Sequence, residues 1–110
     1  MLVLEEDEAV VGFCHFSPTR DDDAARATGE VTAIYLLPSH WRRGGGSRLL
    51  ARAVEALTAA GFRRATLWVL DGNCRARRFY ERHGWHADGS IKVDDRGTFH
   101  LRELRYAREL

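Results

Sequence analysis

The stretch VTAIYLLPSHWRRGGGSRLL, residues 31–50, decides the fold of this chain. Its first seven residues are rich in β-branched and apolar side chains, which predicts a buried strand. Pro38 ends that strand, because proline has no backbone N–H to donate. Three glycines follow at 44–46, and apolar residues then recur with the period of an α-helix up to Leu57. The unit is therefore a strand, a glycine turn and a helix.

The glycine turn predicts a phosphate-binding site. A turn of this kind lets several backbone N–H groups point at one spot, where the helix dipole also favours negative charge. The turn is not a Walker A loop, because no Gly-Lys-Ser/Thr follows, and it is not a GxGxxG dinucleotide fingerprint. It suits a diphosphate held by backbone amides with help from arginine and without a metal.

Length and composition predict one soluble domain over residues 1–110. No apolar run approaches the roughly 20 residues of a membrane helix, and the N-terminus lacks the pattern of a signal peptide. The two cysteines, Cys14 and Cys74, have neither CxxC spacing nor a histidine at ligand spacing. We therefore expect a reduced cytoplasmic protein with no disulfide, no metal site and no membrane contact.

Charge is unevenly distributed along the chain. Residues 1–40 have a balance of −6, residues 41–82 a balance of +7, and residues 83–110 balance at zero. The positive segment contains the glycine turn and suits a polyanionic ligand. A nucleic acid is not the expected partner, because these arginines are not interleaved with aromatic stacking residues.

The remaining elements follow from pattern. Short antiparallel strands are predicted at 2–4 and 9–16, then a solvated loop at 17–29 that contains the aspartates 21–23. Gly61 is predicted to cap the helix, and residues 65–70 form a second strand parallel to the first. A helix at 74–83 begins after a turn that includes Asn73, with Arg75 and Arg82 facing outward. Strands at 86–93 and 98–106 flank a hairpin turn at 94–97, and a slip in the apolar alternation predicts a bulge near residues 102–103.

Two segments together resemble the GNAT superfamily of N-acetyltransferases. The first runs from Glu30 through IYLLP at 34–38 to WRRGGGSRLL at 41–50; the second runs from LWVLDGN at 67–73 to YERHGW at 80–85. The resemblance implies an α/β (α+β) fold whose mixed, mostly antiparallel sheet has a central parallel strand pair splayed around acetyl-CoA. It also implies an enzyme, an acetyl-CoA-dependent N-acetyltransferase.

The resemblance implies roles for individual residues. The family's diphosphate loop falls on residues 41–46, where Trp41 replaces the usual Gln or Arg. Tyr80 matches the general acid, and Glu30 matches the general base, which acts directly or through water. Neither cysteine is expected to be a nucleophile. The implied cofactor-binding residues are Ile34, Tyr35, Leu36, Arg42, Arg43, Gly44, Gly45, Gly46, Ser47, Arg48 and Asn73.

The implied reaction moves an acetyl group from acetyl-CoA to a primary amine of a small molecule or a protein, by direct attack through a tetrahedral intermediate. The alternative is a non-catalytic acyl-CoA-binding or regulatory module of the same fold. The resemblance begins at the family's second strand. We therefore expect either a truncated start or a short variant whose acceptor wall comes from a partner subunit, as in a homodimer. The acidic N-terminal third favours a cationic acceptor.

Overall fold

The structure is a computed structural model that describes residues 1–19, 21, 27–41, 43–97 and 99–110. Within these ranges the chain forms strands and two α-helices, with a short 3-10 turn at Pro38–His40. In chain order the elements are β1 Leu2–Glu6, β2 Ala9–Pro18, β3 Thr28–Leu36, α1 Gly45–Ala59, β4 Arg64–Leu70, α2 Cys74–Arg82, β5 His86–Arg96 and β6 Phe99–Glu109.

The strands form one six-stranded sheet in the order β1-β2-β3-β4-β6-β5. Neighbouring strands are antiparallel except β3 and β4, which are parallel as the strand–helix–strand unit predicts. The parallel pair is short: it runs from Thr28 opposite Arg64 to Glu30 opposite Thr66 and goes no further. Beyond Glu30 each strand keeps only its outer neighbour, so the two inner edges are splayed apart. The predicted α+β fold with a splayed central pair is confirmed.

A bulge in β3 changes which side chains face the helices. Phe16 pairs with Val31, but the preceding residue, His15, pairs with Ala33, so Thr32 is an extra residue in β3. Simple alternation would put Val31 and Ile34 on opposite faces. The extra residue puts both against the same core. The Thr32 hydroxyl donates to the backbone oxygen of His15 (3.1 Å), which holds the bulge in place.

Both helices pack on one face of the sheet and contact each other. Helix α1 buries the apolar stripe predicted for it: Leu49, Leu50, Ala53 and Leu57. Its C-terminus is closed by Gly61 in the left-handed region (φ 94°), with the amides of Gly61 and Phe62 bonded to the last helical carbonyls. This confirms the predicted glycine cap. The fully buried side chains of Trp85 and Tyr106 complete the core beneath α2.

The prediction of a bulge near residues 102–103 is wrong. Strand β6 pairs with β4 without a break from Glu103 to Glu109, and the irregularity lies across the sheet in β5, between Ala87 and Ile91. The apolar alternation slips because Leu101 is 41% exposed rather than part of the core, whereas Leu104 packs on the core. The last hairpin is also tighter than predicted, because β5 continues to Arg96.

Asp21 does not lie in a solvated loop as predicted. Its carboxylate accepts from the indole N–H of Trp68 (3.2 Å) and pairs with Arg105 (3.3 Å), and the side chains of Asp21 and Arg105 are only 13% and 8% exposed. Arg105 also bonds Asp88 at 2.7 Å, so two carboxylates neutralise one buried guanidinium. The neighbouring aspartates 22 and 23 lie outside the described residues. Among the described residues, no helix is long and apolar enough to cross a membrane.

Candidate functional site

A cleft of about 360 Å³ opens where β3 ends, at the first turn of α1 and beside one face of α2. It brings together eight of the residues predicted for the site from three separate parts of the chain: Ile34, Tyr35, Leu36, Gly44, Gly46, Ser47, Asn73 and Tyr80. Strand β3 reaches this point paired with β2 on one side and unpaired on the side toward β4. Its backbone edge on that side is therefore not used by another strand, although the Leu36 carbonyl accepts from the indole N–H of Trp41 (2.8 Å).

The glycine turn has the geometry of an anion site. Gly44 is the N-cap of α1 and adopts φ 83°, a conformation that a residue with a side chain rarely takes. Gly45, Gly46 and Ser47 are then the first three helical residues, whose amides have no acceptor inside the helix. The amide of Arg48 already donates to the Gly44 carbonyl (3.1 Å). The Arg48 amide is therefore bonded within the helix rather than available to a ligand.

Three other residues predicted for the cofactor lie next to the cleft rather than in it. Arg43, Gly45 and Arg48 line a separate pocket of about 230 Å³, where the Arg43 guanidinium pairs with Glu6 at 2.8 Å. Gly45 is buried against Leu4: a Cβ at this position would lie 2.7 Å from a Leu4 methyl carbon. Gly45 thus allows the turn to pack against β1. Arg42 lies outside the described residues.

Helix α2 forms the other wall, and Asn73 fixes its start. The Asn73 side-chain oxygen accepts from the amide of Ala76 (3.2 Å), the N-cap bond that the turn before the helix predicts. Asn73 is also one of the residues that line the cleft. One turn further on, Phe79 lies over the glycine turn, 3.4 Å from where a Cβ on Gly46 would be.

Tyr80 is 8% exposed, among the rings of Phe79, Trp85 and Tyr106. Burial raises the pKa of Tyr80 to about 12, and the nearby Cys14 thiol adds to the shift. Burial likewise raises the pKa of Cys14 to about 11. Both groups are therefore neutral at physiological pH, and Tyr80 presents a protonated phenol to the cleft.

Glu30 is placed differently from the other predicted residues. It is the last residue of β3 that pairs with β4, so it lies where the two strands begin to diverge. Its carboxylate accepts from the hydroxyl of Thr19 (3.3 Å). Glu30 is half-buried but does not line the cleft. Any role for Glu30 in proton transfer therefore requires an intervening group.

The cleft also contains residues that the sequence prediction missed. Arg75 and Arg82, expected to face outward, both line it. Their spacing could have revealed this, because Arg75 precedes Phe79 by one turn and Arg82 follows it by one turn on the same face of a helix. His83 links the two helices: its ring bonds the backbone oxygen of Phe79 (2.8 Å) and the hydroxyl of Ser47 (2.9 Å).

The electrostatics of the cleft favour an anion. Arg75 and Arg82 are its charged lining residues, and no carboxylate lines it in the part of the chain that the structure describes. The unbonded amides of the first turn of α1 add positive potential at one end. A cleft with this charge, an unpaired strand edge and a protonated phenol suits an anionic ligand.

The sequence model of the acetyltransferase (GNAT) family matches residues 1–85. The chain belongs to the GNAT acetyltransferase family. This confirms the resemblance carried by the two sequence segments, and it supports an acyltransferase activity at the level of the family.

Curated relatives of this GNAT chain are longer proteins. An uncharacterized N-acetyltransferase of Bacillus subtilis is 39% identical over 63% of this chain and 39% of its own length. A mycothiol acetyltransferase of Acidimicrobium ferrooxidans is 36% identical over 79% of this chain and 28% of its own length. The matched part of the chain thus spans well under half the length of these two relatives.

Solved structures share the fold. An N-acetyltransferase of Staphylococcus aureus superposes with a TM-score of 0.84 at 25% identity, covering 97% of this chain and 65% of that one. A putative acetyltransferase of Salmonella typhimurium, solved with its cofactor acetyl-CoA, gives a TM-score of 0.83 at 23% identity and covers 98% and 62%. Acyl-CoA use is thereby supported for the family.

Proposed function

We propose that this chain transfers an acetyl group from acetyl-CoA to a primary amine. The observation that carries the proposal is the cleft itself, which joins an anion-binding turn, an unpaired strand edge and a buried phenol in one elongated site. Those three features match the three parts of the donor in order: its diphosphate, its amide-containing pantetheine arm and its thioester.

The donor arm is bound largely by backbone groups in this proposal. The amides of Gly45, Gly46 and Ser47 bind the diphosphate, as helix N-termini bind phosphates generally. The free edge of β3 at residues 34–36 pairs with the amides of the arm, in the manner of an added strand. Asn73 contributes its side-chain NH₂. The roles of Arg43 and Arg48 are reduced, because their side chains lie in the neighbouring pocket.

Tyr80 protonates the departing thiolate. A phenol with a pKa of about 12 is a poor acid toward an ordinary thiol, whose pKa of about 8.5 is far lower. Cys14 shows what this environment does to a thiol: burial beside Tyr80 brings its pKa to about 11. A sulfur that is desolvated against Tyr80 would also have a raised pKa, which narrows the mismatch and favours proton transfer.

The amine must lose a proton before or during attack, since its pKa is near 10. Glu30 is proposed to accept that proton through water, because it lies outside the cleft lining. The same position favours a second candidate, a non-catalytic acyl-CoA-binding module that binds the donor but has no base in contact with the acceptor. Turnover separates the two candidates.

The test combines calorimetric titration with acetyl-CoA and thiol release measured over a panel of amines. For an enzyme, Tyr80→Phe lowers turnover roughly 10²–10⁴-fold and leaves CoA affinity nearly unchanged. Tyr35→Phe is the matched control, because Tyr35 lines the same cleft but is 48% exposed and packs on Phe13. Binding without release from any amine supports the module, and no binding at all refutes both candidates.

A further inference from the structure

Trp41 and Arg75 meet across the cleft. Trp41 follows the 3-10 turn after β3, Arg75 lies in the first turn of α2, and both line the cleft. The guanidinium carbon of Arg75 lies 3.9 Å from the centroid of the Trp41 ring. The ring is itself fixed, because its N–H donates to the carbonyl of Leu36 at 2.8 Å. A rigid aromatic platform thus holds one cation at a defined place in the site.

Among the described residues, Arg75 lacks the carboxylate partner that several other arginines of the protein have. Arg43 pairs with Glu6, and Arg77 pairs with Asp71 and bonds Tyr106. No residue that the structure describes gives Arg75 a carboxylate partner. A guanidinium that stacks on an indole uses its flat face and keeps the N–H groups at its edge free. Arg75 is therefore held in position, and none of the described residues accepts a hydrogen bond from its guanidinium.

We propose that Arg75, positioned by Trp41, binds a phosphate of the coenzyme A donor as a side-chain ligand. This rests on the proposed function, since it assigns a contact within the same donor site. Arginine with free edge donors forms paired hydrogen bonds to phosphate oxygens. The cleft offers no carboxylate to compete for it among the described residues, and the amides at the start of α1 bind the same anionic end of the ligand.

The test compares Arg75→Gln with Arg78→Gln. Arg78 lies one turn further along α2, is exposed and does not line the cleft, so the two variants lose the same charge from the same helix. By calorimetry at low salt, Arg75→Gln is expected to weaken CoA binding roughly tenfold or more, and Arg78→Gln less than about twofold. Pantetheine, which has no phosphate, should bind the wild type and Arg75→Gln equally.

Two further variants test the positioning by Trp41. Trp41→Ala alone should weaken CoA binding. In the Arg75→Gln background the same change should alter CoA affinity little, because the platform has already lost its cation. The double variant Trp41→Arg with Arg75→Gln returns a guanidinium to the volume between the two positions and should recover most of the affinity. Circular dichroism confirms that each variant is folded.

The outcomes separate this proposal from the proposed function. If the wild type binds CoA and Arg75→Gln binds it as tightly as Arg78→Gln does, the assignment of Arg75 is wrong and the donor site stands. If Arg75→Gln weakens pantetheine and CoA equally, Arg75 shapes the cleft without binding phosphate, which also overturns the assignment. If the wild type binds no CoA, both proposals fail together.

Discussion

Replacing Gly44 by alanine tests the anion site at its most specific point. Gly44 adopts φ 83° as the N-cap of α1, and a Cβ there would have no atom within 4 Å. The substitution therefore causes no steric clash with a neighbour, and its cost comes from the backbone alone. A side chain in the left-handed region costs about 1–2 kcal/mol. A protein of this size would lose roughly 4–10 °C in melting temperature for that cost.

Gly61 supplies a matched control at the other end of the same helix. It adopts φ 94°, and a Cβ there would also meet nothing within 4 Å. Gly61→Ala should cost the same stability as Gly44→Ala while leaving the cleft unaltered. The two variants thus share a defect in folding and differ only in which end of α1 is disturbed.

Affinity for CoA should separate the two variants. Part of the strain in Gly44→Ala is relieved by rotation of the turn, which redirects the amides of Gly45 and Gly46, and the rest remains as the cost in stability. A hydrogen bond to a charged group contributes about 1.5–3 kcal/mol, so the loss of one weakens binding roughly ten- to hundred-fold. Gly61→Ala should bind CoA as the wild type does. Calorimetry well below both melting temperatures measures this, and equal affinity of the two variants would refute the assignment of the turn as the anion site.

Three further predictions concern stability. The hairpin between β1 and β2 has positive φ at Asp7 (52°) and Glu8 (63°), so Glu8→Gly should raise the unfolding free energy by about 1 kcal/mol in urea titrations; an unchanged midpoint would contradict the strain. The pKa values of Tyr80 and Cys14 are raised in the folded state, so stability is fully present below about pH 9 and is lost as pH rises toward 12. Cys14→Ala should reduce that alkaline loss, and an identical pH dependence of unfolding would count against it. Asp88→Asn leaves the buried guanidinium of Arg105 with Asp21 as a remaining carboxylate partner and should cost about 1–3 kcal/mol, which thermal unfolding at pH 7 measures; an unchanged melting temperature would show that Asp21 suffices.

The acid side of the stability profile depends on that same Asp88. Burial alone would raise its pKa, but hydrogen bonds from the Ser90 amide and Arg105, with the charges of Arg105 and Arg64, lower it below the ordinary value. A carboxyl group with a lowered pKa stabilises the fold above its unfolded-state pKa, and this stabilisation is lost as pH falls through the folded-state value. The Asn variant should therefore show a flatter stability profile below pH 4.

Local signals predicted most of the elements. Pro38 marks the end of β3, the glycines mark the start of α1, and Gly61 marks its end, because each acts within one turn of its own position. The order strand–helix–strand then fixes the parallel pair, since the chain must cross over the sheet. The glycine turn of the candidate site followed from the same logic, because the carboxyl end of β3 and the first turn of α1 are consecutive in the chain, whereas Asn73, Tyr80 and Glu30 were assigned only through the resemblance to the family.

The sequence contains a signal for the bulge in β3, although the bulge was predicted in β6. Val31, Ile34 and Leu36 break strict alternation by one residue, which is what an inserted residue at Thr32 produces. The break in alternation that predicts a bulge in β6 has a different cause, because the Leu101 side chain faces solvent. A break in alternation is thus ambiguous from one sequence alone, because it cannot distinguish an inserted residue from an apolar side chain that faces solvent.

Pairs that join distant parts of the chain could not be predicted. Arg105 meets Asp21 across 84 residues, and Arg75 meets Trp41 across the cleft. Neither pair has a local sequence signal, because any arginine can pair with any carboxylate or stack on any aromatic ring. Which ones meet depends on strand order and on the direction of each side chain. Both depend on the completed fold.

Backbone and side-chain contributions to binding of the donor's phosphates can be separated by the salt dependence of CoA affinity. The strand edge at residues 34–36 and the amides of α1 bind through groups that every sequence has, so the fold itself supplies them. Trp41 and Arg75 are particular to this sequence: Arg75 supplies a positive charge, and the Trp41 ring holds that charge in place. Gly44→Ala and Arg75→Gln should therefore both weaken CoA and leave pantetheine unchanged, yet respond differently to salt. Loss of Arg75 should lower the salt dependence of CoA binding because one full charge is gone, whereas the turn variant keeps every formal charge and should retain most of it.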